Sequence, residues 1–167
     1  MKRLLQITLA IFIMTGLTTV AFAQTSINAN ATVTANLTLN AGNNLDFGTL
    51  AAGGNSSVAV GDGTAGTFNI TGNGGAVDIG FTFLNGGNLV GPGADIPITF
   101  DGTSAAWDNL ATSQSNTFDP TLGATTSALS ADGDNTIHIF IGGSITAAAN
   151  QTAGSYSEEI TLTATYN

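Results

Sequence analysis

His138 is the only histidine of the chain, and there is no cysteine. A histidine cluster for zinc cannot form within one chain, and a disulfide scaffold and thiol catalysis are excluded. His138 stands in TIHIFIGG on the parity opposite Ile137, Ile139 and Ile141, which gives it a surface or sheet-packing role. Ser-His-Asp catalysis also needs a positioned serine, and no G-x-S-x-G occurs. The eleven Asp and Glu could supply a pair of glycosidase carboxylates. Scattered through a chain with two cations, they read more simply as solvating charge. Hard oxygen ligands of the kind calcium takes gather at Asp132, Asp134 and Asn135 in ADGDNT and at Asp62 in GDGT. No acidic ligand follows at the EF-hand position, so a turn-forming Asp-Gly reading stands beside the calcium one. Five N-x-S/T triplets begin at Asn30, Asn36, Asn55, Asn69 and Asn150, which a chain rich in Asn and Thr produces by composition. No constellation for an enzyme emerges, and no cofactor is expected apart from the calcium candidates.

Charge narrows the partners further. Lys2 and Arg3 precede an apolar run, Leu4 to Val20, that ends in Ala21-Phe22-Ala23, the order of a secretory signal peptide. Cleavage is expected after Ala23, giving a segment 1–23 that is removed and one domain over 24–167. The run carries Gln6, Thr8, Thr15, Thr18 and Thr19 and is a poor membrane span. Lys2 and Arg3 are the only cations, so residues 24–167 hold every Asp and Glu and no Lys or Arg, a net charge of about −11. Nucleic acid is excluded as a partner, because its affinity comes from Lys and Arg neutralising phosphates. Membrane insertion after cleavage is not expected, and neither is Schiff-base or P-loop chemistry. Export, first to the periplasm and then to the surface or beyond, is. With no disulfide available, stability must come from a core, which a chain of this length can bury.

The elements behind these residues are strands. Short apolar runs alternate with Gly/Asn/Asp clusters, the pattern of an all-β sandwich or barrel, and no long amphipathic helix is legible. From Ile27 to Leu39 every odd position is apolar and every even one polar, which sets one face on a core and one in water. Thirteen residues at about 3.3 Å each span roughly 43 Å, more than one domain uses as a single straight strand. Further strands are expected at Leu45 and Phe47, at Val58 and Val60, at Phe68 and Ile70, and from Ala76 to Leu84. Another carries Ile96, Ile98 and Phe100, with Pro97 arguing for an edge strand. Residues 102–134 read as a long connection with one short strand at most. Ile137, Ile139 and Ile141 open a strong strand that Gly142-Gly143 bend before Ile145 and Ala147.

In the last stretch, GSYSEEITLTATYN, Tyr156, Ile160, Leu162, Ala164 and Tyr166 share one face, while Ser157, Glu159, Thr161, Thr163 and Thr165 share the other. Glu158 falls in the apolar register, at the wet end of the strand or opposite a bulge.

These residues resemble a family. AGSYSEEITLTATYN is similar to the terminal strand of chaperone-usher pilus subunits, with Gly154 fourteenth from the end, alternating Ile160, Leu162 and Ala164, and Tyr166 penultimate. LTLNAGNNLDFGTL, residues 37–50, resembles the first hairpin of the spore-coat-U-like, archaic pilin branch. The ordered set LDFG, Phe68-Asn69-Ile70-Thr71-Gly72, IGGSIT and NQTAGSY looks most like the bacterial domain of unknown function 4402. What the pilin resemblance implies is an immunoglobulin-like, Greek-key antiparallel β-sandwich of about seven to nine strands that lacks its last strand. The gap would be filled first by a periplasmic chaperone, at an usher, and then by the amino-terminal extension of a like subunit, by β-strand addition. Residues 24–36 would be that extension, with Ile27, Ala29, Ala31 and Val33 as inserted side chains, and the protein a subunit of a surface filament.

Leu37 stands where related pilins would have a cysteine, and Ala29 and Ala31 are small for anchors. A second reading is therefore kept, in which residues 27–39 cross between the sheets of a self-complete secreted sandwich. Such a protein would be a surface adhesin or glycan-binding module, with Trp107 in the 102–134 loop as its stacking residue.

Overall fold

The structure, a computed structural model, describes residues 28–129 and 135–167. The expected signal peptide, the donor residue Ile27 and the calcium candidates Asp132 and Asp134 lie outside them. The described chain is all-β and carries twelve strands: β1 (Leu37–Ala41), β2 (Asn55–Val58), β3 (Gly66–Gly72), β4 (Val77–Phe83), β5 (Asn88–Leu89), β6 (Ile96–Thr99), β7 (Ala105–Asp108), β8 (Asn116–Phe118), β9 (Ala124–Thr125), β10 (Thr136–Ile141), β11 (Gly143–Thr146) and β12 (Ile160–Tyr166). Against the seven to nine expected, the surplus lies in strands as short as β5, β8 and β9, where alternation has no room to show. No helix among the described residues is long and apolar enough to cross a membrane.

Every pairing is antiparallel, in a five-stranded sheet of order β1-β3-β10-β7-β8, a four-stranded sheet β2-β11-β6-β5 and a three-stranded sheet β12-β4-β9. The architecture is that of a β-sandwich. Its clearest alternations become its longest strands. In β10, Ile137, Ile139 and Ile141 are buried, and in β4 Val77 and Ile79 are buried while Asp78 faces water. β10 and β11 belong to different sheets, and the chain changes sheet at the expected bend: a Cβ on Gly142 would meet the Val58 carbonyl oxygen at 2.1 Å. Only glycine fits there.

Three expectations are corrected. Leu45 and Phe47 form no strand, because the Asp46 Oδ1 accepts the Gly48 N–H at 2.8 Å and Gly48 turns the chain with φ 73°. Pro97 is not on an edge strand: β6 lies between β11 and β5, and since the Ile98 N–H bonds to Gly87 on the β5 side, the Pro97 nitrogen turns toward β11, whose ladder covers only Ile98 and Thr99. Residues 102–134 hold β7, β8 and β9, not one strand at most.

Two hydrophobic clusters result. The first lies between the five-stranded and three-stranded sheets, with Ile70, Ile137 and Ile139 from one, Val77, Ile79 and Leu162 from the other, and Leu129 beside them. The second is built on the four-stranded sheet by Ile96, Ile98 and Ile145, with Ala147, and is covered by Phe47, Leu50, Leu89, Phe100 and Tyr156. Contacts divide the chain after Val33, so that residues 34–167 form one compact unit. Within the segment before it, residues 28–33 are exposed and carry no strand.

Candidate functional site

β1 and β12 are each the edge strand of their sheet, and they approach one another. In an antiparallel ladder alternate residues turn their N–H and C=O to the partner and the others turn them away. The Gly42 N–H bonds to Thr67, so Thr38, Asn40 and Gly42 face β3, while Leu37, Leu39 and Ala41 present their backbone groups to the open side. On β12, Leu84 N–H bonds to Glu159 and Asn167 N–H to Ala76, so the odd positions face β4 and Ile160, Leu162 and Ala164 present theirs outward. Three of these residues send their apolar side chains to the first core: Leu37 and Ala164 pack against it and Leu162 is part of it. Leu39 is 38 % exposed although it shares that face. Two rows of backbone groups with no ladder partner among the described residues therefore border one apolar gap.

The gap widens at one end into a cleft of about 990 Å3. Its walls are Ala41, at the end of β1, with residues 43–52 after it, and residues 151–158, just before β12, and its floor includes Phe68, Ile98, Ile141 and Ile145. Tyr156 braces the second wall. Its ring covers Gly91 and Gly93, where a Cβ would meet Tyr156 atoms at 2.5 and 2.7 Å, and its hydroxyl donates to Thr152 C=O at 2.8 Å. Gly154, with φ 152°, packs on Pro92. Ser157 exchanges backbone hydrogen bonds with Val90 at 2.9 and 3.0 Å. Glu158 is half-buried in the cleft wall: Oε1 accepts the Asn85 N–H at 2.8 Å, and Oε2 is shielded from solvent with no partner among the described residues.

At its other end the gap is closed by Tyr166. The ring lies over Gly72 and Gly74, where a Cβ would meet Tyr166 atoms at 2.2 and 2.4 Å. Its hydroxyl accepts the N–H groups of Asn73 and Gly74, each at 3.1 Å, and donates to the Asn36 carbonyl. Asn73 adds two bonds, its Oδ1 accepting the Asn36 N–H at 2.9 Å and its Nδ2 donating to Thr34 C=O at 3.1 Å.

The residues singled out from the sequence fall apart in an instructive way. Ile160, Leu162, Ala164 and Tyr166 lie together on the edge strand β12, whereas Gly154 and Tyr156 precede it in the cleft wall. Ala29 and Ala31 are exposed and Val33 is 85 % exposed. His138 lies on the outer face of the five-stranded sheet, its Nδ1 2.8 Å from the Asn69 Oδ1. Trp107 packs against the first core. Asn135 adopts φ 56°, and Asp62 caps its own turn by accepting the Ala59 N–H at 2.7 Å. No group of three His, Cys, Asp or Glu capable of holding a metal occurs among the described residues. Asp108, at the end of β7, is a structural carboxylate. Burial pushes its pKa up, but hydrogen bonds from Leu110, Ser113 and Ser115 outweigh that and hold it at about 2.

Sequence reasoning missed Asn73 and the cleft floor. The cluster Gly72-Asn73-Gly74-Gly75 read only as a turn, although glycines on both sides of an asparagine also leave room for an aromatic ring.

No curated protein and no solved structure matches the chain. A family model described as "Domain of unknown function (DUF4402)" matches residues 37–166, from the first residue of β1 to the last of β12, and the chain belongs to that family.

Proposed function

We propose that this protein is a structural subunit of an exported surface filament, in which residues 27–33 of one copy lie as an added strand in the gap of the next. The observation that carries the reading is the pair of open edges, β1 and β12, facing one another across an apolar gap that opens into a cleft. Exposed edges of this kind are templates for another strand, and natural proteins cover or charge them. Here they carry no Lys, the usual edge protection.

Residues 28–33 supply the matching chemistry. They continue the apolar alternation that begins at Ile27, they are in no strand, and Val33 is exposed. A strand added between β1 and β12 gains main-chain hydrogen bonds from both and places Ile27, Ala29, Ala31 and Val33 on the apolar side. Burying a valine or isoleucine contributes about 1.5–3 kcal/mol. The ten residues 24–33 reach roughly 30 Å as a strand, which suits the length of Tyr156 to Tyr166. A head-to-tail contact that does not close makes a filament. Before assembly the same edges would need a periplasmic chaperone delivering to an usher. The glycan-binding alternative gains no support from Trp107, whose ring packs against the core.

The test is to compare the chain from Gln24 with one starting at Thr34, by size-exclusion chromatography and negative-stain microscopy. Polymers from the longer chain and a soluble, folded monomer from the shorter are expected. A longer chain that stays a stable monomer, with no filaments on cells, would falsify the reading.

A further inference from the structure

Thr34 to Asn36, from which the amino-terminal extension leaves the body, and the cleft lie at opposite ends of the same two edges, and these residues are held by side chains that no strand requires. We propose that Asn73 and Tyr166 form a latch that fixes the direction in which the extension leaves the body, steering it into a neighbour's cleft instead of its own. The inference rests on the filament reading above.

Leu37 is opposite Gly72 in the β1–β3 ladder, and the Asn73 side chain takes up the next position, bonding both to the N–H of Asn36 and to the C=O of Thr34. Residues 34–36 thereby continue the line of β1 past the end of the sheet. Tyr166 secures the Asn36 carbonyl from the other side, and its hydroxyl is fully used, with two bonds accepted and one donated. The cleft is lined by Ala41 and Ile160, whereas the latch holds Asn36 and ends on Tyr166. Along β12 that is six residues, roughly 20 Å.

Two routes are open to an extension rooted at this pole. To fill its own gap it must reverse within residues 34–36 and run back beside β1 and β12, parallel to β12. That reversal breaks the bonds on Thr34 C=O, Asn36 N–H and Asn36 C=O together. To fill a neighbour's gap it continues outward and enters through the neighbour's cleft, antiparallel to that β12, with nothing broken. The latch thus acts against self-complementation, and Asn73 and Tyr166 are positioning residues for assembly.

Tyr166→Phe keeps the ring and removes the hydroxyl, and Asn73→Ala removes the two side-chain bonds. Each is compared with the unmodified protein in the chain from Gln24 and in the compact unit from Thr34. The readouts are the monomer fraction by size exclusion with light scattering at equal concentration, and the urea midpoint of the monomer. With the latch removed, the monomer fraction of the longer chain rises about tenfold, as expected for the loss of one to two net hydrogen bonds. That monomer is more resistant to urea than the shorter chain carrying the same substitution, because its own extension fills the gap. A merely structural role would lower both lengths alike and leave no difference between them. If the unmodified chain polymerises and both variants polymerise equally, or if their monomers gain no resistance over the shorter chain, the latch is overturned while the filament reading stands. An unmodified chain that stays monomeric removes the filament reading and the latch with it.

Discussion

The two hydrophobic clusters are built from the same residue types and end in different states. In the first, isoleucines from the five-stranded sheet meet Val77, Ile79 and Leu162 from the three-stranded sheet, and the central Ile139 is 0 % exposed. In the second, Ile96, Ile98 and Ile145 have a sheet on one side and the irregular segments that carry Phe47, Leu50 and Tyr156 on the other. Ile145, no more exposed than Ile79 of the first cluster, nonetheless lines the cleft. A sheet facing a sheet closes its own core. A sheet facing loops closes only as far as the loops reach, and what it leaves open becomes a place for something else. The difference lies in backbone regularity, since both clusters are equally apolar.

The largest effect should separate the two clusters directly. Ile139→Ala removes side-chain volume from a fully enclosed site that cannot refill, at a cost of about 4 kcal/mol, whereas Ile145→Ala borders space that water already reaches and should cost about 2 kcal/mol. Urea denaturation of the chain from Thr34 measures both, and equal costs would erase the distinction.

Acid probes the closed half more gently. The Asp108 carboxyl is held at about 2, below the ordinary unfolded value near 3.9, so its contribution is fully present above about pH 4 and is lost as pH falls through 2. Asp108→Ala removes bonds to a charged group and should cost about 1.5–3 kcal/mol at neutral pH. It should also flatten the pH dependence of the thermal midpoint between pH 4 and 2, and an unchanged slope would place the acid sensitivity elsewhere.

The smallest folding effect is expected on the open side. Leu39→Ser, at a position already 38 % exposed, should change the stability of the chain from Thr34 by no more than about 0.5 kcal/mol. In the chain from Gln24 the same change should reduce polymer yield, so a large folding cost with normal assembly would reverse the roles given to the two regions.

What the sequence made legible follows from the same contrast. β3, β4, β10 and β12 were readable because six or seven residues of alternation between two sheets leave a period-2 signal. β7 was not, since Ala105 and Ala106 are completely buried yet add little to any apolar pattern. Leu45 and Phe47 alternate as a strand would, but Gly48 diverts them, and their apolarity serves a cleft wall. Of the terminal stretch read as one strand face, only Ile160 to Tyr166 is strand, and Tyr156 and Glu158 lie in the cleft wall before it, where Glu158 is half-enclosed with one oxygen unpaired among the described residues. The latch was out of reach because it joins Asn36, Asn73 and Tyr166 across up to 130 positions, and nothing in a local window marks such a meeting.

Gly142 has a consequence for how the molecule comes apart. β10 and β11 are one stretch of chain shared between two sheets, so opening one half exerts strain on a strand whose other end is still paired. Amide exchange should therefore grade along this stretch, with protection highest over Ile137 to Ile141 and falling from Gly143 to Thr146, without a break between two independent units. A single glycine without room for a methyl group would be what makes the two halves report on each other.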